Sequence, residues 1–495
     1  MMKENEQHRG RVWAEGCRWS STWVGCVFLL LIALTPVATA ALPRLAVSEN
    51  GRFLVAEESV PFFYLGDTAW QMLYRMDRGE IDRYLDDRAA KRFTVVQCVI
   101  LGELDGLETP NREGHLPLHA LNPARPNEAF FELVDYTLQQ AEERGLYVAL
   151  LPTWGSHVED KPHPRFKNYH PFNAENAREY GEFLGRRYRE RSNVIWMLGG
   201  DRSPVGHEDI WNALAAGIRK HDTRSLMTYH CQGYASAARY WRDAPWLDLN
   251  LIQSGHARFS TRNWQMIERE YGAQPVRPVF DAEPAYEDHP AAFDPANPRF
   301  TDYDVRKAAY WAVFAGAFGH AYGHHSVWQV YRPGQDTPIL APSTSWSEVL
   351  NAPGAGQMQH LRALIESRPF LSRIPDQSLV KDLGMDTDHV QVTRDGSVGR
   401  KDATTVMVYL PISRDLEIDT SVVAGERLRA WWFDPRTGEA RLIGETDNTG
   451  RYRRPEEQRV QADWGGPDWV LVIDDAAAGY PPPGGVLVQD HAATP

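Results

Sequence analysis

Two acidic motifs carry the chemistry that this chain could do. In "NVIWMLGGD" (Asn193–Asp201) apolar residues run into two glycines, which deliver Asp201. In "PVFDAEPAYE" (Pro278–Glu287) a similar run ends on Asp281, Glu283 and Glu287. Taken alone, an aspartate at a strand end can simply cap the next loop. Two carboxyls facing each other across one cavity can do more. One protonates a leaving oxygen while the other attacks or activates water, and that pair is what glycosidic-bond cleavage requires. Their charges would push the two pKa values apart and keep one group protonated near neutral pH. Strand alternation further predicts Asp281 and Glu283 on one side of their strand.

Such a meeting needs a scaffold that gathers strand ends. From Phe62 onward, strand and helix patterns alternate. The strands are predicted at Phe62–Asp67, Phe93–Ile100, Leu146–Trp154, Asn193–Asp201, Ser225–His230, Asp248–His256, Pro278–Pro284 and His320–Trp328. Between them lie helical patterns such as "NEAFFELVDYTLQQAEERG", with Phe130, Phe131, Val134, Leu138 and Ala141 at the spacing of one buried face. Eight such units with near-continuous apolar strands point to an α/β fold, a (β/α)8 TIM barrel, whose active site forms at the C-terminal strand ends. A doubly wound open sheet is the alternative. No G-x-G-x-x-G follows the first strand, so neither a dinucleotide nor any other cofactor is expected.

The remaining strand ends supply material that suits a sugar. Asp67 and Trp70 follow strand one, Trp154 ends strand three and His230 ends strand five. Gln253 and His256 end strand six, Glu287 follows strand seven, and His324 and Trp328 belong to strand eight. Their polar groups can bind hydroxyls, while the indoles offer flat apolar faces. Each could equally be packing; their convergence on one rim favours substrate binding. A carbohydrate-binding protein without catalysis would keep the aromatics but need not keep both acids. A metal-dependent barrel hydrolase would place an H-x-H pair on strand one, where this chain has "GDTAW". His324 and His325 occupy neighbouring strand positions and should point opposite ways, so no metal is expected.

"YLGDTAW", "VIWMLGGD", "LNLIQSGH" and "DAEPAYE", in this order on four predicted strand ends, resemble the apiosidase-like glycoside hydrolase family. The resemblance spans about Leu45 to Ser372. It implies a retaining-type glycosidase with Asp201 as acid/base and Glu283 as nucleophile. The activity it implies is release of apiose-linked side chains from the plant pectin rhamnogalacturonan II.

The rest of the chain frames these residues. A 495-residue chain with 43% hydrophobic residues can bury a large core in more than one domain. Its net charge of −13 argues against a polyanionic partner such as nucleic acid; the strand-end residues and the resemblance point to an oligo- or polysaccharide. Arg9, Arg11 and Arg18 precede the apolar "VFLLLIALTP", and "ATA" at Ala38–Ala40 follows it. That is the layout of a signal peptide over 1–40, which predicts an exported protein with no lasting membrane partner; an uncleaved anchor is the rival reading. The catalytic domain is expected over 41–376. Short strand patterns from Gln377, with a turn at "DPRTG", predict a small all-β sandwich over 377–476. It resembles the C-terminal domain that accompanies this family, at times labelled collagen-binding, and is expected to pack on the barrel. The Pro/Gly/Ala-rich residues 477–495 are expected to be disordered.

Overall fold

A computed structural model describes residues 41–159, 169–259, 261–412, 414–453 and 468–487. The signal segment expected over 1–40 lies outside them. After short antiparallel pairings among Ala46–Val47, Leu54–Val55 and Pro61–Phe62, eight strands alternate with helices. They are β1 (Tyr64–Thr68), β2 (Val95–Leu101), β3 (Tyr147–Thr153), β4 (Val194–Gly199), β5 (Met227–His230), β6 (Asn250–Gln253), β7 (Val279–Asp281) and β8 (Gly319–Tyr322).

Their order in the sheet is β5-β4-β3-β2-β1-β8-β7-β6, and every one of these neighbours is parallel. Because β8 pairs with β1, the sheet curls into a TIM-like barrel. At the remaining seam β5 and β6 share no ladder. There the Asp248 amide donates to the Met227 carbonyl (2.9 Å) and Thr228 Oγ1 donates to the Leu249 carbonyl (2.8 Å). A short segment, Ala235–Ser236, pairs antiparallel with β6. The strands are buried along their length, as near-continuous apolar runs require when helices cover the outside of a parallel sheet. The helix Glu128–Glu143 buries Phe130, Phe131, Val134, Leu138 and Ala141, the face its spacing predicts, and the Asn127 side chain caps it through the Ala129 amide.

The C-terminal segment forms a six-stranded antiparallel sheet in the order Ile374–Pro375, Gln391–Arg394, Thr405–Leu410, Trp469–Asp475, Arg427–Phe433 and Ala440–Asp447. A two-stranded sheet of Glu417–Asp419 and Arg451–Arg453 accompanies it. Alternation divides the large sheet between two cores. Met407, Tyr409, Trp431, Phe433, Val470 and Val472 join the barrel's core, while Val406, Val408, Trp432, Leu471 and Ile473 face the domain's own. The first of the strand patterns expected from Gln377 is instead a 3-10 turn at Gln377–Leu379 with a single bridge at Val380.

This domain is fixed to the barrel. Arg306 forks onto Asp468 (2.8 and 2.7 Å) and Arg368 forks onto Asp474 (2.9 and 2.8 Å), all four side chains being buried. Tyr310 stacks on Tyr409, and Trp264 stacks on His389. The expectation of a disordered tail needs correction at its start. Tyr480 lies under the Arg368 guanidinium and meets Thr404 Oγ1 at 2.5 Å, and the Gly484 amide donates to Ser367 Oγ. Residues 488–495 lie outside the described residues.

Candidate active site

The two glycines before Asp201 are there for conformational and steric reasons. Gly199, Gly200 and Asp201 take φ values of +85°, +129° and +59° in succession, a left-handed path that glycine follows without strain and aspartate tolerates better than most residues. A Cβ on Gly199 would lie 2.3 Å from the His230 carbonyl, and one on Gly200 would lie 2.7 Å from the Gly155 amide. Only this sequence lets the chain turn out of β4 so tightly. The turn puts the Asp201 carboxyl on the wall of a cavity of about 390 Å³ at the C-terminal strand ends.

Glu283 sits on the same cavity, two residues past the end of β7. Its Oε1 lies 3.0 Å from His256 Nε2, and its Oε2 lies 3.0 Å from His230 Nε2, the latter outside hydrogen-bond angles. Both imidazoles have their tautomer set from behind. The Asp201 amide donates to His230 Nδ1 (3.2 Å), and the Tyr286 amide donates to His256 Nδ1 (3.3 Å). Each ring therefore turns an Nε2–H toward Glu283. Burial pushes the Glu283 carboxyl upward, but its contacts with the two histidines outweigh burial and bring it down to about 2.

Asp201 is shifted the other way. Burial and then the charge of Glu283 raise its pKa, against Arg202 and Gln253, which lower it. Gln253 Nε2 donates to its Oδ1 (2.9 Å), and an Arg202 guanidinium N–H donates to its Oδ2 (3.3 Å). One histidine thus spans the two acids, with its Nδ1 on the Asp201 backbone and its Nε2 against Glu283. A third carboxyl, Glu103, lines the same cavity from the loop after β2. Burial pushes it up to about 8, with Arg202 opposing and the charges of Asp201 and Glu283 adding. At neutral pH this environment favours an ionised Glu283 and a proton on Glu103.

Of the residues expected from the sequence, Trp70, Trp154, Asp201, His256, Glu283 and Trp328 line the cavity. Trp70 and Trp154 pack edge-on and tilted around the His230 ring, at 5.2 and 5.8 Å. His230 and Gln253 are buried behind the wall and act through Glu283 and Asp201.

Three expected contacts are corrected. Asp67 points the other way along β1: Tyr64 and Thr68 turn inward to Gln97, so Asp67 turns outward, where Tyr84 OH (2.6 Å) and Arg88 (3.3 Å) seal it. Glu287 is pinned by Tyr322 OH (2.6 Å) and the Gly354 amide (3.1 Å). His324 is buried with Nδ1 accepting from the Ser326 amide, capping the short helix His325–Trp328. His324 and His325 thus lie beyond β8 rather than at alternating strand positions. The predicted same-side pair also fails, because β7 ends at Asp281. Ser254 Oγ (2.6 Å) and Asn263 Nδ2 (3.2 Å) hold Asp281 on the helix side, while Glu283 enters the cavity.

Glu103, Arg202, Tyr286, His289 and Phe293 were not anticipated from the sequence and also line the cavity. Glu103 follows "VIL" at the end of β2, so the strand-end rule that found Asp201 could have found it. His289 stacks on His256 at 4.3 Å, and its Nδ1 bonds the neighbouring Pro290 carbonyl, a loop arrangement with no sequence period to mark it. Among the described residues no group of three or more His, Cys, Asp or Glu side chains is arranged to hold a metal ion.

Three comparisons bear on this geometry. The family model described as the apiosidase-like catalytic domain matches residues 48–372. A second model, described as a candidate collagen-binding domain of a collagenase, matches 374–474. Among solved structures, a glycoside hydrolase family 5 protein from Bacteroides vulgatus ATCC 8482 is 34% identical, with a TM-score of 0.79 over 88% of this chain and 94% of that one. Another, described as a glycoside hydrolase, is 33% identical, with a TM-score of 0.78 over 88% and 97%. No curated protein sequence matches the chain.

Proposed function

Since the chain belongs to the apiosidase-like family and is a glycoside hydrolase, we propose that Glu283 is its nucleophile and Asp201 its acid/base. The observation that carries this reading is geometric: Asp201 and Glu283 line one cavity at the C-terminal strand ends. Glu283 Oε1 lies 3.0 Å from His256 Nε2, and Asp201 is held by Gln253 and Arg202. The opposite directions of their pKa shifts agree with it. In the first step Asp201 gives its proton to the leaving oxygen while a Glu283 oxygen bonds the anomeric carbon. The glycosyl ester then carries no charge on Glu283. One of the influences that raised Asp201 is removed, so Asp201 ionises more easily and can take a proton from the water that frees the sugar. Glu103, neutral near pH 7, serves as a hydrogen-bond donor to a sugar hydroxyl, and Trp70, Trp154 and Trp328 supply the apolar walls. In this reading the catalytic unit is a closed (β/α)8 barrel, the tail is a β-sandwich, and the protein acts outside the cytoplasm.

Retention of anomeric configuration follows if Glu283 is the nucleophile. The substrate class that fits the family is plant cell-wall polysaccharide, and the specific bond is apiose in side chains of rhamnogalacturonan II. Proton NMR of the first-formed product tests the mechanism: the retained anomer is expected, and an inverted one would recast Glu283 as a base that activates water. Product identification from rhamnogalacturonan II oligosaccharides tests the substrate, and release of a sugar other than apiose would overturn it.

A further inference from the structure

A second cavity, of about 520 Å³, is lined in part by the same loops as the first. Tyr74, Arg75, Asp105, Asn111, Arg112 and Arg332 are among its lining residues. The two cavities share their loops. The loop after β2 gives Glu103 to one and Leu104, Asp105 and Asn111 to the other. The segment after β8 gives Ile339 and Leu340 to one and Arg332 and Asp336 to the other.

Its walls are braced. Arg332 bonds the Arg75 carbonyl (2.6 Å) and Glu80 (2.7 Å), and Arg75 bonds the Gln329 carbonyl (2.7 Å). Asn111 is 3% exposed, and its Oδ1 is used twice, by the Glu113 and His115 amides (3.1 and 3.0 Å). Its Nδ2 has no partner among the described residues. A buried amide donor left unpaired costs on the order of 1–3 kcal/mol, so such groups ordinarily have a use. Beside it Arg112 is exposed and has no carboxylate partner among the described residues. Three arginines and three aspartates (Asp77, Asp105, Asp336) share the lining, so the cavity carries no strong net charge. Directional polar groups without an excess of either charge suit a hydroxyl-rich ligand.

We propose that this cavity is a remote subsite for a sugar unit of the same oligosaccharide whose glycosidic bond lies between Asp201 and Glu283, with Asn111 Nδ2 and Arg112 as donors. The proposal rests on the glycosidase reading and makes the preferred substrate a branched or extended glycan rather than a simple glycoside. Asn111→Asp keeps the Oδ1 acceptor that shapes the loop and removes the donor; Arg112→Ala removes an exposed side chain that makes no ion pair among the described residues. Each variant and the parent are assayed on an aryl apioside and on a rhamnogalacturonan II oligosaccharide, and oligosaccharide binding is measured by calorimetry on the same proteins.

Each substitution should raise KM and Kd for the oligosaccharide by roughly five- to tenfold, the loss of about one net hydrogen bond, and several times more than it raises KM for the aryl glycoside. Equal effects on both substrates, or none on oligosaccharide binding, would overturn the subsite. So would a parent that binds no oligosaccharide. A parent that binds the oligosaccharide but turns over neither substrate, with binding still weakened by both variants, would leave the subsite standing and bring down the catalytic reading instead.

Discussion

Asp67, the penultimate residue of β1, and Asp201, two residues beyond β4, are both aspartates at barrel strand ends, and they have become different things. Asp67 is sealed against Arg88 and Tyr84 in the helix layer; Asp201 stands on a cavity wall with Gln253, Arg202 and a nearby carboxylate. The contrast extends to whole sectors. In the sealed sector polar groups are taken up by structure: Glu287, after β7, accepts from the Gly354 amide, and His324, after β8, caps a short helix. In the cavity sector Asp201 and Glu283 face one cavity, with the imidazoles of His230 and His256 against Glu283. The residue types are alike in both sectors, and each group lies at or just past the C-terminal end of a barrel strand. What decides the role is the local path of the chain: alternation within β1 turns Asp67 into the helix layer, whereas the Gly199–Gly200 turn carries Asp201 onto the cavity wall.

The largest effects should come from the cavity side. Asp201→Asn and Glu283→Gln should each lower kcat by about 10²–10⁴-fold or more, the scale of general acid–base help, with little change in melting temperature. Near-native turnover in both would erase the distinction between the sectors. The same change on the sealed side should do the reverse. Asp67→Asn strips a buried arginine of one partner and should cost about 3 kcal/mol of stability, the low end for a broken buried pair because Asp87 still holds Arg88 (2.6 Å). Its kcat per folded molecule should stay near the parent's, read by denaturant melts alongside active-site titration. A loss of turnover without a loss of stability would move Asp67 to the catalytic side.

Next in size is Trp328, the most open of the cavity's three indoles at 9% exposed. Trp328→Ala should raise KM by roughly tenfold, about 1.4 kcal/mol of lost stacking and apolar contact, while melting temperature falls less than for Trp154→Ala. Trp154 is packed against Trp70 and His230, so its removal should cost folding as well as binding. If the two variants lose stability equally, Trp328 is core rather than platform.

Much of this was legible in the sequence, and the failures share a cause. Eight strand patterns, the "GGD" turn and the pairing of Asp201 with Glu283 follow from periodicity and from the rule that barrel sites form at strand ends. The C-terminal strands were legible as strands but not as a shared wall: "TTVMVYLPI" is apolar on both faces because one face joins the barrel core and the other its own. Asp67, Glu287 and His324 were misread because their partners, Arg88, Gly354 and Ser326, become visible only when helices dock or the chain turns. Asp281 was misread because alternation was carried two residues past the end of β7. Burial creates those partners, and no local pattern encodes it.

The smallest predicted effect concerns Glu103, which tests whether a carboxyl on the open side can act as a neutral group. Its pKa is raised by burial to about 8, above the ordinary carboxylate range, so the protonated donor form prevails below about 8 and is lost as pH rises through that value. If the donor form binds a sugar hydroxyl, kcat/KM should fall by a few-fold on the alkaline side, about the worth of one neutral hydrogen bond. Glu103→Gln supplies a permanent amide donor in the same place and should flatten that alkaline fall while leaving the acid limb where it was. Stability gives an independent reading with the same sign. A raised carboxyl pKa favours the folded state most at low pH, and that advantage disappears as pH climbs from about 4.5 through about 8. Glu103→Gln should therefore match the parent's stability in acid and exceed it increasingly as pH climbs from about 4.5, most of all above about 8. An alkaline limb unchanged by the substitution would assign that titration to Asp201, and Glu103 would join Asp67 among the acids that the barrel mouth holds without using.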